Sequence, residues 1–113
     1  MAETVNIPTL KRGDTWRGRT ITLEINGDPV DLTGAVVRMQ VRTSATAPKA
    51  AEWSTVNDTI TVTDAAGGVI RVEPRVVDLR PDTYQYDIEY TLEDGRVLTP
   101  IEGSWVITSD ITR

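Results

Sequence analysis

Between residues 84 and 92 apolar and polar side chains alternate without a break. Tyr84, Tyr86, Ile88, Tyr90 and Leu92 hold one set of positions, and Gln85, Asp87, Glu89 and Thr91 hold the other. A period of two sends successive side chains to opposite faces, so the pattern predicts a half-buried strand with the tyrosine set inward. Asp94-Gly95 follows, a dipeptide suited to the two positive φ angles of a type I′ turn. The segment is therefore expected to open a hairpin whose return strand begins near Arg96.

The same pattern recurs along the chain. Ile21, Leu23 and Ile25 alternate with Thr22 and Glu24 up to the turn signal Asn26-Gly27-Asp28-Pro29. Asp31-Leu32-Thr33-Gly34 reads as a corner. Val37, Met39 and Val41 alternate with Arg38, Gln40 and Arg42, and residues 43–51 read as a surface loop. Further strands are expected around Trp53, at Ile60 and Val62, and from Val69 to Glu73, with a bend between Pro74 and Pro81. The last strand pattern is Ile101, Gly103, Trp105 and Ile107, preceded by Pro100, where a bulge or a change of sheet is expected. Seven to eight short strands with frequent turn signals, and no helical period longer than a turn, predict an all-β fold: a single antiparallel β-sandwich.

Residues 1–12 lack a complete strand pattern and contain Pro8, so they read as an extended arm ahead of the domain over 13–113. At 113 residues the chain is long enough for one core without disulfides. Phenylalanine is absent, and the large core pieces must come from Trp16, Trp53, Trp105 and the tyrosines. With no cysteine and no histidine, thiolate chemistry and the usual general base are excluded. A net charge of −5 argues against nonspecific nucleic-acid binding. No apolar run nears the roughly 20 residues of a membrane span, and the chain is expected to be soluble and made in a cytoplasm.

Candidate chemistry is sparse. Asp87 and Glu89 share a strand face about 7 Å apart, but on the outward side, where charge is simply solvated. Asp28, Asp31, Asp58 and Asp64 lie in loops without EF-hand spacing, so they are expected to bond turn backbones and not calcium. Gly67-Gly68 has no following lysine or helix and reads as a turn. Neither a metal nor a cofactor is expected. The exception is charge in residues 11–19, where Lys11, Arg12, Arg17 and Arg19 stand against Asp14. Together with the apolar Val5, Ile7 and Leu10 of the arm, they form a candidate surface for an acidic partner.

Three segments in order, Arg12-Gly13-Asp14-Thr15-Trp16, Asp31-Leu32-Thr33-Gly34 before Val41-Arg42, and Pro81 to Ile88, carry a resemblance. With the Asp-Gly hairpin, Gly103 and the terminal Ser109 to Arg113, they resemble small virion proteins of tailed bacteriophages. The similarity is to the immunoglobulin-like N-terminal domain of siphophage upper baseplate proteins. One departure is Pro81-Asp82-Thr83, where that pattern commonly has Pro-Gly. The resemblance implies an immunoglobulin-like sandwich and a non-enzymatic role in the virion, joining tail or baseplate parts and receptor-binding fibres in multiple copies. Alternatives are a head decoration or neck protein, or a carbohydrate-binding sandwich if Trp53 faces a groove.

Overall fold

The computed structural model describes residues 3–111, so residues 1, 2, 112 and 113 of the expected arm and domain lie outside the described residues. The chain enters through β1 (Glu3–Thr4) and β2 (Ile7–Lys11), then β3 (Thr15–Trp16) and β4 (Arg19–Thr22). A small hairpin, β5 (Glu24–Ile25) and β6 (Asp28–Pro29), leads to β7 (Val36–Arg42) and β8 (Ala51–Ser54). β9 (Ile60–Asp64), β10 (Val69–Val72) and β11 (Arg75–Val76) follow. β12 (Asp82–Thr91) and β13 (Val97–Thr108) are the longest strands. Eight strands have four residues or more, and the remaining five are two-residue bridges.

These strands build a β-sandwich. One sheet runs β1-β13-β12-β7-β8 with β2 also on β13, and the other runs β4-β10-β9. In immunoglobulin lettering the first is G-F-C with an added C′ and the second is B-E-D, the partition expected of that fold. Tyr84 adds a second mark: its hydroxyl donates to the Arg80 carbonyl at 2.6 Å, the tyrosine corner found at the start of strand F.

The alternation seen in the sequence becomes the core. In β12, Tyr84, Tyr86, Ile88 and Tyr90 are buried. Tyr84 lies opposite Trp105, and Ile88 lies between Ile101 and Met39. Val37, Met39 and Val41 join them from β7, Trp53 from β8, and Ile60, Ile70 and Val72 from the second sheet, all in one cluster. The three tryptophans meet at one end of this core. Trp16 lies 5.4 Å from Trp53 and 5.1 Å from Trp105, centroid to centroid.

Four expectations change. The 1–12 arm is, over its described part, a pair of strands of the same domain: β1 and β2 run parallel to β13, which makes the first sheet mixed and not purely antiparallel. Ile7 is buried and the Val5 amide donates to the Glu102 carbonyl at 2.8 Å, so apolar burial and ladder bonds outweigh the local weakness at Pro8. Leu92 lies beyond the end of β12 and is only half-buried, packed at the rim of the core. The Asp94-Gly95 turn has positive φ at Gly95 alone, and the amide of Gly95 donates to the Leu92 carbonyl. It is a three-residue loop closed by a left-handed glycine. The type I′ geometry falls instead at Asn26-Gly27, where both φ angles are positive (53° and 84°) between β5 and β6.

The irregularity expected at Pro100 is present: Ile88 pairs with Ile101 but Tyr90 with Leu98, leaving an extra residue on β13. Gly103 marks a close approach. A Cβ there would lie 2.0 Å from the Val5 carbonyl oxygen and 2.9 Å from the Tyr86 ring. Only a residue without a side chain lets the segment between β1 and β2 cross here, where the Tyr86 hydroxyl donates to the Val5 carbonyl.

Candidate functional site: a groove between two sheet edges

β2 pairs only with β13, and β4 pairs only with β10, so each leaves an edge open among the described residues. Between β2 and the segment from β3 to the start of β4 lies a groove of about 360 Å³ lined by Ile7, Pro8, Thr9, Leu10, Thr15, Trp16, Arg17, Gly18 and Arg19. The far end of β4, at Thr22, lines a separate depression with Glu3 and Glu24. Its apolar members are Ile7, buried, with Leu10 and Trp16, both half-buried and packed against the core. Trp16 is held there because its ring is fixed against Trp53 and Trp105 on the inner side.

Charge on the groove has one sign. Arg17 and Arg19 are exposed, and neither has an ion-pair partner among the described residues. The Arg17 carbonyl is engaged by the Arg71 guanidinium at 2.7 Å, which fixes the backbone of this segment. Nearby, Arg12 behaves differently: its guanidinium contacts Asp78 at 2.8 Å, and that hydrogen bond holds its pKa above the ordinary value.

The structure therefore brings four of the candidate partner-binding residues, Ile7, Leu10, Arg17 and Arg19, into one groove. Val5, Lys11 and Arg12 are not part of its lining. Val5 is tied into the first sheet, and Lys11 sits opposite Thr108. Nothing in the local pattern marks Pro8, Thr9, Thr15, Trp16 and Gly18 as groove residues. Their contribution depends on folding residues 7–10 beside 15–19, which no local pattern announces.

A second, larger depression of about 620 Å³ lies on the outer face of the first sheet, among Thr4, Asn6, Gln40, Arg42, Gln85 and Asp87. Most of these side chains are already committed. Arg42 donates to the Ala47 carbonyl and to Gln40, Gln40 donates to Glu52, and Asn6 accepts from both the amide and the hydroxyl of Ser104. Asp87 lies directly opposite Glu102, and partial burial, with Glu89 and Glu102 nearby, raises its pKa.

The remaining sequence candidates settle into structural roles. Trp53 is fully buried, donates its indole N–H to the Glu73 carbonyl at 3.1 Å, and is covered by the Arg75 guanidinium at 4.1 Å from the ring centroid. It offers no face to a sugar. Asp31 accepts from the amide and hydroxyl of Thr33, which lowers its pKa, and Asp64 accepts from the Gly67 amide. Among the described residues, no three carboxylates gather in a way that would hold a metal ion.

No family model and no curated protein matches this sequence. Among solved structures, the crystal structure of CopC from Methylosinus trichosporium OB3b matches with a TM-score of 0.50, over 93% of this chain and 88% of that one. At 8% sequence identity the likeness is one of fold. The two share a β-sandwich.

Proposed function

We propose that this chain is a non-enzymatic structural component of a bacteriophage virion, a tail or baseplate protein that connects tail parts and receptor-binding fibres. The observation that carries this reading is the groove between β2 and the start of β4, with its apolar floor and, among the described residues, open strand edges and two arginines without ion-pair partners. An assembly protein needs a rigid frame with edges and patches left available to neighbours, and a sandwich of this kind provides them. The resemblance of Arg12 to Trp16, Asp31 to Gly34 and Pro81 to Ile88 to siphophage baseplate domains points to the tail. Other virion proteins are then its partners, and the chain is present in several copies, made in the host cytoplasm and incorporated into the particle. Gold-labelled antibody against the chain, applied to purified particles and viewed by electron microscopy, tests the location. Label at the tail end is expected; label spread over the head shell, or no label, overturns the reading.

A further inference from the structure

We infer that the groove between β2 and β4 takes an extended acidic segment of a partner protein, which adds to the β4 edge as a further strand. This rests on the assembly reading above and names the partner chemistry of that same groove.

The argument starts from backbone groups. A strand at a sheet edge carries N–H and C=O groups that need partners, and proteins either block such edges or use them to receive another chain. Of the two edges here, β2 contains Pro8, which has no N–H to give. β4 (Arg19–Thr22) contains no proline, and among the described residues its outer edge pairs with nothing. An incoming strand is thus directed to the Arg19 end of β4, where that edge enters the groove, with β2 forming the opposite wall. At the other end Thr22 lies beside Glu3 and Glu24, which an acidic strand would avoid.

Side chains then set what the strand must carry. Along an added strand alternate residues face the same way. Those turned to the floor would meet Ile7, Leu10 and the half-buried Trp16, so they are apolar. The cations at the rim are Arg17 and Arg19, and none of the nine lining residues is acidic. This positive lining occurs on a chain whose net charge is −5, so it is a local feature and not a reflection of the whole surface. Carboxylates between the apolar positions would give the two guanidiniums counter-charges that the described residues do not supply, and bidentate pairing would fix the register. A basic segment would meet like charge, which supplies discrimination.

The test uses the full chain, isotopically labelled, and a capped synthetic peptide of about six residues, the usual strand length, alternating valine and glutamate. Amide shifts on Arg19 and Thr20 and on Ile7, Thr9 and Leu10, with a shift of one indole signal, are expected. The Arg17→Glu/Arg19→Glu variant replaces exposed side chains and should keep its fold, yet bind about tenfold more weakly and with a flatter salt dependence. The valine–lysine counterpart should not bind. Nor should a peptide methylated on every backbone nitrogen, since it cannot donate to an edge.

Shifts confined to the outer face around Gln85 and Asp87 would overturn the inference. So would equal binding of the lysine or methylated peptides. A dimer seen by sedimentation that the acidic peptide does not dissociate would show the groove to be filled by a second copy. Each of these outcomes leaves the antibody location of the chain in the particle as a separate reading.

Discussion

Ile88 and Glu89 are neighbours with opposite fates. Ile88 is fully buried between Ile101 and Met39, whereas Glu89 is only half-buried and faces Arg38 on the outer side. Ile88→Ala is expected to cost about 2–5 kcal/mol as a core cavity, and Glu89→Ala about 0.5 kcal/mol or less; chemical denaturation of both variants checks this. The tyrosines give a finer contrast. Tyr84 donates its hydroxyl to the Arg80 carbonyl, but the buried Tyr90 hydroxyl has no partner among the described residues. Tyr84→Phe should therefore cost about 1 kcal/mol, the usual net value of one hydrogen bond. Tyr90→Phe should be neutral or stabilising, because it removes a polar group whose desolvation is uncompensated. Equal melting temperatures for the two variants would contradict that difference. At this scale the sequence was highly legible, since strict alternation in β12 marks each inward residue; only Leu92, past the strand end, departs from it.

Element pairing was less legible. Local alternation found β7, β10 and β12, and Pro100 announced the irregularity in β13. The parallel pairing of β1 and β2 with β13 joins segments at opposite ends of the chain. No turn dipeptide links them, and Pro8 argues locally against a ladder, so the local pattern alone yields an arm. Half of the groove depended on this pairing and was hidden for the same reason. Gly103 tests whether the N-terminal strands belong to the domain. A Cβ at that position meets the Val5 carbonyl and the Tyr86 ring, so Gly103→Ala is expected to destabilise by about 1–3 kcal/mol through overpacking. It should also speed amide exchange in Val5 and Ile7 more than in β9, which lies in the other sheet. Uniform exchange across both sheets would contradict the N-terminal placement.

Over the whole molecule, charge is unevenly arranged. The outer face places Asp87 directly opposite Glu102 with Glu89 nearby, while Arg17 and Arg19 stand at the groove. Burial first, and the two glutamates next, raise the pKa of Asp87 above the ordinary carboxylate value. A raised pKa means that the folded state holds this proton more tightly than the unfolded one. That contribution favours folding at low pH and is lost as pH rises through the folded-state pKa. Asp87→Asn should consequently gain in melting temperature over the parent at about pH 7, with the gain shrinking toward about pH 4, near the ordinary carboxylate range. A constant difference at all pH values would contradict this. Whether the molecule is a part of a particle, as proposed, is decided by counting. Quantitative mass spectrometry of purified virions should find this chain at one fixed ratio to the major tail protein in every preparation. Its absence, or a ratio that falls with each further purification step, would contradict the account.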